Sequence, residues 1–403
     1  MVSTEQDWRE QGDAPDPATV GRRRVLQALG AATGVAAVAA TGLLSYRAYD
    51  AAVLDPGGGA AHDPWRDWRA VPGPLGAVGA AVLAASPHNT QPWRFAVAPD
   101  AIDVFADPAR GTGSVDPFGR ERDVGLGCAL ENLVLACPPR GLAPTVALLP
   151  DGGGDRVAHV ALAPAEPGAD PLYEVIDRRH TDRGPFRPAP LPPETLDALS
   201  GPDPGGSGPA VHWIAGSAAR DALGRLLVDA AEALVADTGQ SIDNFAWFRA
   251  THDEEERYRD GLVLDGQGFS PLELGVAKLL PPSSRADGDR FWVGRTRDVH
   301  TATAAAYGVV TLGQGSRAAV LDAGRLLQRI HLRATAAGIS LHHMNQITER
   351  LDREVTTGAT SDLGPRLAAL LPAGRRPVLV FRVGWPVRPA RPTPRRPVTA
   401  VIA

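Results

Sequence analysis

One stretch of the sequence occurs twice, and this repetition constrains the fold of the 403-residue chain more than any other feature. Residues 317–338 align without a gap with residues 120–141, at a constant offset of 197 (317 minus 120), so that Arg, Gly and Leu positions coincide. Both copies carry apolar residues at helical spacing and end at a glycine suited to capping a helix. A duplicated module predicts two halves packed about an approximate two-fold axis, like the subunits of a symmetric dimer. The alternative is two unrelated amphipathic helices that share a leucine period.

Helices and short strands are predicted around both copies. A helix at 70–86 precedes a strand pair that flanks Pro99 and Asp100. Further helices are predicted at 120–137, 194–199 and 218–235, and further strands at 145–149, 157–162, 211–214 and 377–383.

Residues 240–295 break this pattern, because an aromatic run is followed by an acidic patch and a Gly- and Pro-rich stretch. A long insertion in a compact domain is typical of a lid or a binding loop. We therefore predict a first unit at 70–170 and a second unit at 171–398, with the lid insertion at about 240–295.

The first fifty residues indicate export or membrane anchoring. Residues 1–20 are polar and predicted to be disordered, and 51–69 are predicted to be a linker. Between them, the arginines at 22–24 precede an uncharged run at 28–44, and the arginine pair resembles a twin-arginine signal. The run is short and weakly apolar for a stable membrane-spanning helix. We predict a signal or anchor at 21–50 that engages export machinery and places the folded part outside the cytoplasm. The alternative is an alanine-rich helix after a chance arginine cluster.

Composition and motif searches exclude several classes of function. The net charge of -5 argues against a nucleic-acid binder, and two cysteines exclude a disulfide scaffold and a cysteine-rich metal site. The sequence has no phosphate loop with Lys-Ser/Thr and no serine elbow motif. His342 and His343 are adjacent and have no third ligand at metal spacing. We therefore predict no metal and no catalytic side-chain triad.

A polar turn at 86–93 is the first candidate for ligand binding. It contains Ser86, Asn89 and Gln91 together with two prolines. Amide side chains offer donors and an acceptor in one plane, which matches the polar edge of a planar heterocycle. The alternative is an Asn/Pro turn that only joins a helix to a strand.

Arginine-containing segments are the second and third candidates. In an extended backbone Arg179, Thr181 and Arg183 share one side, and two guanidinium groups with a hydroxyl suit a phosphate. The C-terminal tail adds Arg395 and Arg396. The alternatives are a solvated basic run and a solvated tail.

The Ser-x-x-Asn-x-Gln-Pro-Trp turn, the Arg-His-Thr-Asp-Arg segment and the repeated helix together resemble the nitroreductase family of FMN proteins. The resemblance spans roughly residues 70–398 and is closest to the Acg-type branch, in which two nitroreductase-like units lie in one chain. It implies an α+β fold, duplicated within the chain as a pseudo-dimer, with FMN between the halves. It also implies a monomer with an internal pseudo-two-fold axis.

The resemblance implies a role for each motif. The FMN phosphate and ribityl chain would be held by Arg179, His180, Thr181 and Arg183, and the phosphate would be closed over by Arg395 and Arg396. The isoalloxazine ring would be approached from the other half by Ser86, Asn89 and Gln91, and its reactive edge would lie beside Met344, Asn345 and Gln346. Pro87 departs from the family pattern, which often has a small polar residue there.

In such proteins the flavin supplies the chemistry and the protein supplies positioning. The resemblance implies a flavin oxidoreductase that is reduced by NAD(P)H or another small-molecule reductant, with a lid over the flavin face to which Trp247 and Phe248 belong. Two alternatives stay open: a protein that sequesters or stores flavin without turnover, and a cofactor-free module that binds a partner.

Overall fold

The computed structural model describes residues 45–168, 170–201, 208–313 and 315–403. Each half of this described part contains one four-stranded antiparallel sheet. The first sheet consists of β1 (Trp93–Ala98), β2 (Ala101–Ala106), β3 (Leu142–Leu148) and β4 (Arg156–Pro164), and β6 (Phe248–Arg249) pairs with β7 (Leu262–Val263) in a separate parallel ribbon. The second sheet consists of β5 (Ala210–Ile214), β8 (Ala306–Leu312), β9 (Ser340–His343) and β10 (Arg376–Gly384).

Helices flank and connect these strands. They are α1 (Asp63–Asp67), α2 (Gly73–Ala81), α3 (Arg120–Ala136), α4 (Pro193–Ser200), α5 (Ser217–Ala236), α6 (Thr238–Phe245), α7 (His252–Tyr258), α8 (Pro271–Leu279), α9 (Arg285–Arg295), α10 (Arg317–Ala336), α11 (Gln346–Thr357) and α12 (Leu363–Ala368).

Both sheets have the same topology. The first has the strand order β1-β2-β4-β3 and the second the order β5-β8-β10-β9, so each places its first, second, fourth and third strands side by side. All neighbouring strands in both sheets are antiparallel. The repeated sequence forms α3 in the first half and α10 in the second, each between the second and third strands of its sheet.

Helices α3 and α10 pack directly against each other between the halves. Their closest approach is at Gly127 and Gly324, where neither helix carries a side chain. Beyond this point, Arg325 and Arg329 of α10 form ion pairs with the buried carboxylate of Glu131 on α3. The interface therefore joins the two units through both backbone contact and charge.

Capping side chains explain where these two helices begin. Asp116 accepts hydrogen bonds from the backbone N–H groups of Glu121 (3.1 Å) and Arg122 (2.9 Å) at the start of α3. Ser316 accepts one from the backbone N–H of Ala319 (3.1 Å) at the start of α10. Side-chain oxygens at these positions satisfy N–H groups that have no partner within the helix.

The halves differ in the connection between their first two strands. Two residues, Pro99 and Asp100, link β1 to β2, whereas α5–α9 and the β6–β7 ribbon lie between β5 and β8. A segment near the start of the described chain braces this insertion. The buried Asp265 accepts a hydrogen bond from the backbone N–H of Gly57 (2.8 Å) and pairs with Lys278 (2.8 Å).

The C-terminal tail returns to the first half. After β10 it runs back to β1, where the Phe95 N–H donates to the carbonyl of Val401 and the Ala403 N–H donates to the carbonyl of Phe95, both at 2.8 Å. Phe95 is completely buried in the core of the first half. Residues 401–403 thus pair with β1 at the edge of the first sheet.

The prediction of an α+β fold is confirmed. Helices predicted at 120–137, 194–199 and 218–235 are present within two residues of their predicted limits. The helix predicted at 70–86 is shorter and ends at Ala81, because the chain turns before Pro87. Of the signal or anchor predicted at 21–50, residues 21–44 lie outside the described residues. Among the described residues, no helix has the length and apolar character needed to cross a bilayer.

Candidate functional site

A cavity of about 1330 Å³ lies between the two halves. The first half contributes the turn at 86–88 and one face of α3, and the second half contributes β9, the start of α11 and the insertion between β5 and β8. Its polar lining consists of Ser86, His88, Glu121, Thr181, Arg183, Asn244, Gln267, Glu273, Ser283, Ser284, Asp287, Asp289, Thr296, His300, His342, His343, Asn345, Gln346 and Glu349.

The polar turn is held in an unusual backbone conformation. His88, Asn89 and Gln91 all have positive φ angles, of 46°, 54° and 52°. Such angles are uncommon outside glycine and persist only where surrounding contacts fix them. The Ser86 hydroxyl oxygen fixes the turn by accepting from the Gln91 N–H at 3.1 Å. The turn therefore presents Ser86 and His88 to the cavity and rotates its two amide side chains away from it.

Those two amides bind the C-terminal tail. Asn89 accepts a hydrogen bond from the Arg395 guanidinium (2.7 Å) and donates to the carbonyls of Pro394 (2.9 Å) and Gly261 (3.2 Å). Gln91 accepts from the backbone N–H of Arg396 at 2.8 Å. None of Asn89, Gln91, Arg395 and Arg396 lines the cavity.

The arginine segment divides between core and cavity. Thr181 forms an isolated β-bridge with Leu341 of β9. Thr181 and Arg183 both line the cavity. Arg179 instead lies in the core, where it donates to the carbonyl of Leu83 at 2.9 Å. His180 also lies off the cavity and packs edge-on against Trp65, with ring centroids 4.5 Å apart.

Arg183 is the strongest candidate to hold an anion. Burial lowers the pKa of its guanidinium to about 10, while the nearby charge of Asp182 raises it. The Arg183 guanidinium donates a hydrogen bond to a neutral acceptor, the carbonyl of Gly266, at 3.2 Å. Among the described residues no carboxylate forms an ion pair with it. A half-buried positive charge without an acidic partner suits an anionic ligand.

Two histidines at the end of β9 are held neutral. Burial and the charges of Arg179 and Arg183 lower the pKa of His343 to about 3. Burial also lowers the pKa of His342, whose Nδ1 accepts a hydrogen bond from Nε of Arg382 at 3.1 Å. The proton of neutral His342 therefore lies on Nε2, which makes this ring a donor.

The residues after β9 form the adjoining wall. Met344 is buried in the core of the second half and lines the cavity. Asn345 accepts a hydrogen bond from the Val380 N–H (3.2 Å), and Gln346 donates to the carbonyl of Leu227 (3.3 Å).

The insertion supplies an aromatic wall. Phe245 and Phe248 stack at 6.2 Å and line the cavity together with Phe269, Phe291 and Trp292. Trp247 does not line the cavity but donates from its indole N–H to the carbonyl of Gly111. The insertion therefore lines the cavity through Phe248 and not through Trp247.

Sequence reasoning missed several lining residues. Glu121 lies at the start of the first repeat, Glu349 lies on α11, and His300 lies in a π-helical turn after α9. The only local sequence signal for Glu121 as a lining residue is that an acidic side chain falls on the apolar face of the predicted helix. Nothing in the sequence places Glu349 beside it.

The sequence is 31% identical over 337 residues to the protein named "Putative NAD(P)H nitroreductase Rv3131" from Mycobacterium tuberculosis, a match that covers 80% of this chain and 88% of the relative. The chain belongs to the NAD(P)H nitroreductase family. The "Putative NAD(P)H nitroreductase acg" of the same organism is 26% identical over 341 residues, covering 81% of this chain and 93% of that protein. No protein-family model matches the sequence.

Solved members of the nitroreductase family are more distant. The nitroreductase NfnB from Mycobacterium smegmatis, solved in complex with NADPH, is 18% identical, with a TM-score of 0.33, and the match covers 57% of this chain and 96% of NfnB. A nitroreductase from Bacteroides fragilis, solved with bound FMN, is 15% identical, with a TM-score of 0.31, and the match covers 54% of this chain and 89% of that chain.

Proposed function

We propose that this nitroreductase-family protein is an FMN-dependent oxidoreductase that binds FMN in the cavity between its halves. The observation that carries the proposal is Arg183, a positive charge without a carboxylate partner among the described residues, in a cavity that also has an aromatic wall. A flavin mononucleotide needs such a cation for its phosphate and a flat apolar surface for its ring. FMN-bound structures of other family members support the same cofactor.

Buried polar atoms on the cavity wall fit this ligand. His343 Nε2, His300 Nδ1 and Thr296 Oγ1 have no hydrogen-bond partner in the described part of the chain. Buried polar groups are normally hydrogen-bonded, so an unpartnered set on one cavity indicates a polar ligand. A flavin ring offers carbonyl oxygens and ring nitrogens along its edges. The cavity also exceeds the volume typical of a single small-molecule site, which leaves room for a second reactant.

Each lining residue has a separate task in this proposal. Arg183 and Thr181 hold the phosphate, next to a second cavity of about 170 Å³ that they share with Arg388 and Arg391. Ser86 and Asn345 approach the ring from opposite halves. Bound FMN supplies hydride and electron transfer. The aromatic wall excludes water from the ring.

The remaining predicted cofactor residues act one layer further out in this proposal. Asn89, Gln91, Arg395 and Arg396 fasten the tail behind the turn that carries Ser86. Arg179 and His180 fix the backbone that leads to Thr181. They shape the site without touching the cavity.

The names of the relatives support NAD(P)H as the reductant. One specific observation favours the alternative of flavin sequestration. The insertion covers the cavity with Phe245, Phe248 and Phe269, and NAD(P)H would have to pass this cover. Deleting residues 245–270 separates the two functions. A sequestering protein stays inactive after the deletion, whereas a covered oxidoreductase gains NAD(P)H oxidation.

The direct test is FMN binding by the purified protein and by Arg183→Ala. One charged hydrogen bond contributes about 1.5–3 kcal/mol, so the variant should bind FMN roughly 10- to 150-fold more weakly. Arg297→Ala is the matched control, because Arg297 is half-exposed and pairs with Glu232 on the surface. Unchanged FMN affinity in Arg183→Ala, or no FMN binding by the unaltered protein, contradicts the proposal. Bleaching of the bound flavin by NADPH then tests turnover.

Export and duplication are separate parts of the proposal. The arginine cluster supports export or anchoring, and replacing Arg22 and Arg23 by lysine should retain the protein in the cytoplasm. Accumulation outside the cytoplasm despite both changes contradicts a twin-arginine route.

The common strand order supports duplication, with one chain acting as a monomer. Sedimentation of a dimer would contradict the monomer.

A further inference from the structure

Two carboxyl groups meet at the edge of the cavity. Glu121 lies in the first turn of α3 and Glu349 in the first turn of α11, so they come from different halves. Both line the cavity, although their residues are only 3% and 7% exposed. The Glu121 carboxyl lies close enough to Glu349 to raise its pKa. Two buried carboxyl groups that share one site do not both ionise readily, so one of them tends to keep a proton.

The surrounding charges also require a bound proton. The groups that face the pair are Arg120 beside Glu121, Asp116 before α3 and Asp352 on α11. Arg120 is therefore the positive charge that faces four carboxyl groups, those of Asp116, Glu121, Glu349 and Asp352. Its Nε already donates to Asp352 at 2.9 Å, and it lies 3.7 Å from Glu121. Buried carboxylates in excess of their cations cannot all stay ionised.

The remaining contacts leave the proton with the pair. Asp116 accepts two backbone hydrogen bonds at the start of α3, and Asp352 is partly exposed and paired. Arg120 and the side chain of Asn345 offset part of the burial of Glu121, whose Oε1 has no hydrogen-bond partner in the described chain. Burial raises the pKa of Glu121 to about 7. Burial and the Glu121 carboxyl raise the pKa of Glu349 further above its ordinary value.

We propose that the Glu121–Glu349 pair is the proton donor to the electron acceptor that is reduced in this cavity. The inference rests on the proposed flavin function. A quinone acceptor takes up a hydride, which is two electrons and one proton, from reduced FMN, which is oxidised. One quinone oxygen takes the second proton as the carboxyl O–H bond breaks and a new O–H bond forms, so that the product is the hydroquinone. The pair then carries one more negative charge until water at the cavity mouth returns a proton.

The first test separates the two half-reactions of the full FMN-loaded protein. The flavin is reduced anaerobically, and its reoxidation by 1,4-benzoquinone is followed by stopped flow across the pH range. The pair loses the Glu121 proton as pH rises through about 7, so the rate of reoxidation should fall over the same range. Glu121→Gln and Glu349→Gln should slow reoxidation by about 10²–10⁴-fold and lose this pH dependence. Reduction of the flavin by NADPH should change much less, which a merely structural role does not predict.

Glu131→Gln is the matched control. Glu131 is also a buried glutamate of α3, but it pairs with Arg325 and Arg329 away from the cavity. This variant should keep the pH profile of reoxidation. Wild-type rates in Glu121→Gln and Glu349→Gln with FMN bound overturn the inference while the proposed function stands. Failure of the unaltered protein to bind FMN instead refutes the proposed function.

A second measurement does not depend on cofactor or turnover. Infrared difference spectra of the cofactor-free protein at neutral pH should show the carbonyl stretch of a protonated carboxyl group. The band should be lost or shifted in Glu121→Gln and Glu349→Gln and kept in Glu131→Gln. Absence of any such band assigned to the pair at neutral pH overturns the inference.

Discussion

Gly127 of α3 and Gly324 of α10 contact each other reciprocally. A Cβ atom at Gly127 would overlap the carbonyl oxygen of Leu321 and lie 2.9 Å from the Cα atom of Gly324. A Cβ atom at Gly324 would overlap the carbonyl oxygen of Val124 and lie 3.0 Å from the Cα atom of Gly127. Gly127 and Gly324 are 197 positions apart, and so are Val124 and Leu321. Each helix therefore contacts the other through equivalent residues. A local two-fold axis therefore passes between these glycines.

Gly127→Ala should destabilise the protein, because the new methyl group would meet backbone and not a movable side chain. Overpacking of this kind costs about 1–3 kcal/mol or more. Urea denaturation measures the change in the free energy of unfolding. Gly275→Ala on α8 is the control, since its Cβ would meet only Val53 at 3.5 Å and alanine favours a helix. Equal stability of both variants would show that the helices can separate without cost.

Asn89→Ala should loosen the C-terminal tail. The change removes an acceptor from the buried Arg395 and a donor from two carbonyl groups. Arg395 and the Pro394 carbonyl still bond to each other, so the Gly261 carbonyl is the main group left unsatisfied. One such buried group costs about 1–3 kcal/mol, which is the expected loss. Denaturation and proteolysis of residues 385–403 measure it. Asn89→Asp keeps the acceptor for Arg395 and should lose less, and the opposite order would argue against the Arg395 contact.

His343 should make the protein less stable in acid. The pKa of this histidine is about 3 in the folded protein and about 6.5 in the unfolded chain. Above pH 6.5 it is neutral in both states and contributes nothing. As pH falls below 6.5 only the unfolded chain binds the proton, so stability falls by about 1.4 kcal/mol per pH unit until pH approaches 3.

His343→Gln removes this dependence. Between pH 7.5 and pH 5 the stability of the variant relative to the unaltered cofactor-free protein should rise by about 2 kcal/mol. Urea denaturation at several pH values measures the difference, in which the contributions of all other groups cancel. Parallel pH profiles for the two proteins would contradict the burial of a neutral His343.

Lys278→Met should loosen the insertion that covers the cavity. Lys278 and Asp265 form a buried pair with side chains only 7% and 2% exposed. Removing one partner of a buried pair costs about 3–5 kcal/mol, because the other charge stays buried. Limited proteolysis within residues 264–285 and the rate of flavin reduction by NADPH should both increase. Adding Asp265→Leu should restore part of the stability, and no recovery would contradict the pairing.

The sequence predicted the elements whose limits depend on nearby residues. The second repeat begins after Ser316, which caps α10, and both repeats end where a glycine adopts a positive φ angle. The fold class followed from the same local patterns, whereas the role of the insertion as a lid stays a prediction. Thr181 and Arg183 both line the cavity, because an extended segment beside a strand keeps the alternation that the prediction assumed, and their role in cofactor binding stays a prediction.

The orientation of the polar turn could not be predicted, because it depends on three non-glycine residues with positive φ angles. These angles direct Asn89 and Gln91 to the tail, more than three hundred positions later. Likewise, Glu121 and Glu349 meet only after two halves have packed. Contacts between distant segments leave no periodic signal in a single sequence.

The common strand order also has a consequence for stoichiometry. Two identical subunits enclose a pair of equivalent niches, related by their axis. Here the counterpart of Cys128, which faces the cavity, is Arg325, and its guanidinium is engaged with Glu131 at 2.8 Å. The second repeat therefore has an ion pair at the position where the first repeat lines the cavity. A saturated sample should therefore contain one equivalent of flavin per polypeptide and not two.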